Sequence, residues 1–203
     1  MILKAEHICK AFGERQVLND VTLAADAGEA VALLGANGAG KTTLLRIVAD
    51  LLVPDSGEVL FCDHRLTHSD MRYMGYLPEE RGLYRHMRAG EQAVYLLRLK
   101  GLGRSEATEA ARHWFARLGM ELWWKRPVGK LSKGMQQRLQ FVVSVAHSPR
   151  LLILDEPFSG FDEENTAMLK REVQSLKAAG TAVIISTHNL QAARELCDKE
   201  VRL

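Results

Sequence analysis

Apolar and polar residues change their spacing several times along this chain, and each spacing predicts an element. Over residues 1–10 and 15–25 the rhythm is that of a strand, set by Ile2, Lys4, Glu6 and Ile8 and then by Val21 and Leu23. Side chains of a strand point alternately to its two faces, so two early strands are expected, joined at the turn Gly13-Glu14. The runs 30–34, 151–154 and 181–186 are almost unbroken in apolar residues, as in strands covered on both faces of a parallel sheet. Two further strands are expected over 58–62 and 72–77, the second stopped by Pro78. A helix is expected from Lys41 to before Pro54, and another over 163–178, closed by Gly180. Between 89 and 147 the period becomes helical throughout. Ala107, Ala111, Trp114 and Leu118 share one face, with Ser105 expected as N-cap and Gly119 just past the end. Trp114, Phe115, Trp123 and Trp124 are read as the small core of this helical part rather than as a ligand cage. Strands alternating with helices predict an α/β protein with a mostly parallel sheet, interrupted by a helical insertion.

Composition narrows the function classes. The 203 residues are 47% hydrophobic and 26% charged, enough for one good core and ordinary for a globular protein. A formal net charge of +2 gives no reason to expect a nucleic-acid partner or an anionic membrane surface. No window approaches 18 apolar residues, and the first six residues lack the basic start and apolar run of a secretion signal, so a cytoplasmic location is expected. Cys9, Cys62 and Cys197 are isolated, with no Cys-x-x-Cys pair to suggest zinc, redox work or a disulfide frame.

The chemistry concentrates in three stretches. Gly35-Ala36-Asn37-Gly38-Ala39-Gly40-Lys41-Thr42 lies between a predicted strand and a predicted helix. Its glycines allow successive N–H groups to surround an anion, the helix start adds a positive end, Lys41 can reach terminal phosphates, and the Thr42 hydroxyl is a hard ligand for Mg²⁺. The apolar run 151–154 ends in Asp155-Glu156, two adjacent carboxylates that suit a cation and an attacking water respectively. Leu131-Ser132-Lys133-Gly134 precedes another helix start, a second potential anion site. One nucleotide is already served by the first loop, so this second tip points to a phosphate held by another copy of the chain.

In their order and spacing these residues resemble the ATP-binding-cassette ATPases, the nucleotide-binding subunits of transporters, over nearly the whole chain. Leu131-Ser132-Lys133-Gly134 matches the family signature, Ser159-Gly160-Phe161-Asp162 its D-loop, and His188 its switch histidine. The resemblance implies a P-loop NTPase of the RecA-like kind. Residues 1–84 and 148–203 would form the nucleotide-binding core with an N-terminal antiparallel β subdomain, and 85–147 the helical subdomain carrying the signature. It also implies that Phe12 stacks on adenine and that Gly35, Ala36, Asn37, Gly38, Ala39, Gly40, Lys41, Thr42 and Thr43 hold the phosphates of ATP. Thr42 and Asp155 would serve Mg²⁺, Glu156 would position the water, and His188 would contact the γ-phosphate. In a head-to-tail dimer Ser132, Lys133, Gly134 and Met135 of one copy would cap the ATP of the other, with Asp162 at the interface. The implied partners are a second cassette, the same or different, and an integral membrane permease that would hold the protein at the inner face of the membrane.

Three departures from the family pattern stand out. The signature usually reads Leu-Ser-Gly-Gly-Gln, and here Lys133 and Met135 take its third and fifth places. The usual Q-loop glutamine is matched by Glu79, which can bind Mg²⁺ but repels phosphate without it. The chain ends at Leu203, where the family normally continues into a further strand. The string 75–84 resembles ATPases of type-2 exporters, particularly those likened to sodium-efflux pumps. Arg81, Arg85, His86 and Arg88 lie just after the Q-loop position, either as a docking face for the membrane partner or as a solvated charged surface. Two other readings share the phosphate loop. A soluble cassette ATPase of DNA maintenance or translation would usually carry two cassettes or a coiled-coil insertion, and a small phosphotransferase would leave 131–134, 155–157 and His188 unexplained.

Overall fold

The computed structural model describes residues 1–80, 82–159, 162–188 and 190–203. Two sheets carry the fold. Strands β1 (Leu3–Phe12), β2 (Arg15–Ala25), β4 (Ser56–Phe61) and β5 (His64–Arg65) form an antiparallel sheet in the order β2-β1-β4-β5. The second sheet is parallel, in the order β6 (Met74–Leu77), β7 (Leu151–Asp155), β8 (Ala182–Thr187), β3 (Ala30–Leu34) and β9 (Lys199–Arg202).

Every residue of β3, β7 and β8 is buried, which accounts for their unbroken apolar runs. Alternate side chains serve different cores. Leu152, Leu154, Val183 and Ile185 pack with α2 (Ala89–Leu99), α3 (Arg104–Arg117), α4 (Lys133–Val145) and α5 (Glu163–Ala178). Leu151, Ile153, Ala182 and Ile184 pack on the opposite face with α1 (Lys41–Val48) and the antiparallel sheet. The aromatic cluster is packing, as expected: the Trp114 and Phe141 rings meet edge-on at 5.9 Å and those of Phe115 and Trp124 at 4.9 Å. It is not a separate core, because the same apolar cluster runs on into Leu77, Leu152 and Leu154 of the sheet.

Three expectations are corrected. Helix α3 starts at Arg104, with Gly103 rather than Ser105 as its N-cap, and the Gly103 N–H donates to Glu106 Oε2 at 3.3 Å. Leu102 and Ala107 belong to one apolar cluster, a staple that fixes the chain's entry there and outweighs the hydroxyl of Ser105. The strand expected over 72–77 begins only at Met74. Asp70 Oδ2 accepts from the Thr67 N–H at 2.9 Å and from its hydroxyl at 2.7 Å, nucleating a 3₁₀ turn over His68–Tyr73. Finally, residues 199–202 themselves form a strand, β9, paired in parallel with β3 from Val31↔Lys199 to Leu34↔Arg202. Its exposed Lys199, Glu200 and Arg202 suit a sheet edge. Asp198 anchors it, accepting from the Ala30 N–H at 2.8 Å and from Lys177 Nζ at 2.6 Å. Helix α6 (Leu190–Leu196) lies between β8 and β9 in sequence. Among the described residues no helix is long and apolar enough to cross a membrane.

Candidate phosphate-binding and catalytic site

Parallel strands deliver their carboxyl ends to one edge, the usual place for a ligand in such a sheet. Here β7, β8 and β3 are neighbours in register, with Asp155 opposite Ser186 and Leu34 opposite Thr187. Residues more than a hundred positions apart therefore meet: the loop after β3, the carboxylates ending β7 and His188 after β8. The cleft they border, about 570 Å³, is lined by Phe12, Asn37, Gly38, Gly40, Lys41, Thr42, Thr43, Glu79, Glu156 and His188, all singled out in the sequence.

The loop is shaped around the start of α1. Gly40, the N-cap, has φ 100°, and a Cβ there would lie 2.9 Å from the Val17 carbonyl oxygen, so no other residue fits without displacing β2. No side chain caps the helix, which leaves its first N–H groups to the cleft. Ala39 closes the loop by donating its N–H to the Ala36 carbonyl at 3.1 Å. Lys41 is 7% exposed, and its ammonium donates to the carbonyls of Gly35 and Ala36 at 2.8 and 3.2 Å. The same nitrogen lies 3.6 Å from Glu156 Oε1.

The carboxylates are held by β8. The Ser186 hydroxyl donates to Asp155 Oδ1 at 2.6 Å and accepts the Glu156 N–H at 2.9 Å, fixing both acids with one buried side chain. Asp155 Oδ2 is buried with no hydrogen-bond partner, an acceptor suited to a cation. Glu156 has φ 46°, a strained left-handed conformation, and its carboxylate lies beside Lys41 and His188. Its Oε2 lies 3.0 Å from His188 Nδ1. Below them, burial first and then the negative charge of Asp155 push the Tyr76 hydroxyl above the usual tyrosine range, with a bond from Arg46 opposing.

The signature residues lie elsewhere. Ser132 is the N-cap of α4, its Oγ accepting the Met135 N–H at 3.3 Å, and Ser132 and Lys133 are exposed. Helix α4 is tied to α5 through Arg138 Nε, which donates to Asn165 Oδ1 at 2.7 Å. Asn165 in turn bonds both carboxylate oxygens of Asp162, the N-cap of α5. Gly160 and Phe161 of the expected D-loop, and Arg81 of the basic stretch, lie outside the described residues. Sequence reasoning missed Arg15, Val17 and Ser159, which also line the cleft, and the buried Ser186. The available signal for Ser186 was a hydroxyl closing a run that is otherwise apolar.

A glycine-cradled helix start facing a strand-end carboxylate pair, on a parallel sheet, defines the class as a phosphate-loop nucleotide-binding protein. The family model described as ABC transporter matches residues 18–159. An ABC transporter ATP-binding protein of Bacillus subtilis, YhaQ, is 41% identical over 97% of this chain, which spans 66% of that relative's length. The lantibiotic transport ATP-binding protein SrtF of Streptococcus pyogenes is 34% identical over 97% of this chain and 84% of its own. A solved ATP-binding subunit of an ABC transporter superposes with TM-score 0.92 at 30% identity, covering all of this chain and 86% of its own. This chain belongs to the ABC transporter family, as one of its ATP-binding cassettes.

Proposed function

We propose that this chain binds MgATP in the cleft and hydrolyses it, in a head-to-tail pair of cassettes that drives a separate membrane permease. The observation that carries the reading is the convergence of Lys41, Glu156 and His188 beside the uncapped start of α1. Lys41 and the loop N–H groups would hold the terminal phosphates, and Phe12, 53% exposed at the rim, offers a ring for the base. The unpartnered Asp155 Oδ2 and the Thr42 hydroxyl fit Mg²⁺, which when bound neutralises phosphate charge. Glu156 Oε1, buried and with no hydrogen bond, is placed to take a proton from water as the water oxygen bonds to the γ-phosphorus. The bond from that phosphorus to the β–γ bridging oxygen breaks, and ADP leaves. His188 holds the other oxygen of Glu156. Glu79 lines the same cleft, which supports a metal-sensing role for it.

Glu156→Gln separates binding from turnover. It is expected to lower phosphate release by about a hundredfold or more while ATP affinity stays within a few-fold, and near-normal turnover would sink the assignment.

The exposed signature tip supports a dimer in which Ser132, Lys133, Gly134 and Met135 meet the partner's nucleotide, with Asp162 nearby. SrtF's role in lantibiotic transport and the type-2 resemblance of 75–84 support an exporter, located at the cytoplasmic face through its permease. For docking we favour the surface at Arg85, His86 and Arg88. All three are exposed, yet their backbone is fixed, with Gly129 N–H bonded to Arg85 O at 2.8 Å and Val128 N–H to Met87 O at 2.9 Å. Charge reversal at Arg85 and Arg88 is expected to abolish co-purification with the permease from native membranes. Intact co-purification would remove docking from this surface.

A further inference from the structure

A second cavity, of about 440 Å³, opens beside the nucleotide cleft and shares Glu79, Glu156 and Ser159 with it. Among its described lining residues are three carboxylates, Glu79, Glu80 and Glu156, and one cation, Lys133. Helix α4 grips both loops that bound it. Gln137 Nε2 donates to the Ser159 carbonyl at 2.9 Å, and Gln140 Nε2 to that of Glu80 at 3.2 Å. Lys133 therefore starts a helix whose distance from the loop carrying Glu79 is set by hydrogen bonds.

Two of these charges stand where the resembled family carries neutral residues. Glu79 takes the place of a glutamine and Lys133 that of a glycine, so against that pattern the same cavity carries one additional negative and one additional positive charge. A carboxylate at Glu79, added to Glu156, raises the electrostatic cost of bringing a triphosphate into the adjoining cleft. A cation on the facing helix offsets that cost. We propose that Lys133 and Glu79 of one chain are a compensating pair, with Lys133 acting as a positioning charge that sets the affinity of its own chain's cleft for ATP. The pair rests on the MgATP reading above, and it operates before any second copy brings a nucleotide to the tip of α4.

The test is ATP titration of the full chain, with Mg²⁺ at low salt, at a dilution where light scattering shows single chains. Lys133→Ala is expected to weaken binding about tenfold, and Glu79→Gln combined with Lys133→Ala to restore it to within about threefold. Lys133→Arg keeps the charge and should recover what alanine loses, and high salt should shrink the alanine effect. Independent, multiplying effects of the two substitutions would overturn the pair. So would an unchanged affinity in Lys133→Ala with loss of ATP-driven dimerisation alone, which would assign Lys133 wholly to the partner's nucleotide. In either case binding by the parent chain leaves the MgATP reading standing, whereas a parent indifferent to ATP would remove that reading and the pair with it.

Discussion

Helices α1 and α4 both begin at a glycine-bearing loop, yet their first turns sit in opposite surroundings. The start of α1 has no side-chain cap, carries the buried Lys41 and looks across at Glu156. The start of α4 is capped by its own Ser132 and stands exposed. A helix start left uncapped beside a cleft has N–H groups to spend on an anion. At α4 the Ser132 cap takes only the Met135 N–H, and the exposed start presents its surface outward. In the proposed head-to-tail pair, one half of the nucleotide site would be assembled inside each chain and the other half displayed for a second copy.

Lys41→Ala breaks the inner half and should have the largest effect. ATP affinity is expected to fall by about a hundredfold or more in equilibrium titration, because a desolvated cation next to the phosphates is removed. The far end of α4 sharpens the contrast, because there the helix is buried where its tip is exposed. Burial, then the Lys100 ammonium, lower the pKa of His147 to about 4, with a bond to the Met74 carbonyl opposing. Its unfolded value is near 6.5, so below that pH the unfolded chain binds a proton that the folded chain refuses. Stability is therefore complete above about pH 6.5 and is lost as pH falls toward 4, by up to about 3 kcal/mol from this group. Denaturant unfolding at a series of pH values should show that slope, and His147→Gln should flatten it. Ser186→Ala gives the smallest change. It removes the single hydroxyl that holds Asp155 and the Glu156 N–H, and should cost about 1–3 kcal/mol in stability and about tenfold in turnover. Unchanged turnover would show that Glu156 keeps its place without β8.

Much of the inner half could be read from the chain alone. The apolar runs of β3, β7 and β8 have one explanation, burial on both faces, and the loop and carboxylates follow them directly. Ser186 could not be read, because its role comes from the parallel register that sets it opposite Asp155, a pairing between segments thirty-one residues apart. The strained backbone of Glu156 and the proximity of Tyr76 to Asp155 likewise arise only when three strands are side by side. At α3 the hydroxyl of Ser105 was a weaker guide than the packing of Leu102 and Ala107, because burial of the staple decides where the helix begins. The strand β9 was missed because its charged residues give an edge strand little apolar signal.

The division of the site between two chains is tested most directly by the mass of the Glu156→Gln protein in light scattering with and without ATP and Mg²⁺. The account predicts single chains without nucleotide and a doubled mass with it, and no doubling when Lys41→Ala is added. A single-chain mass at saturating bound ATP would contradict it.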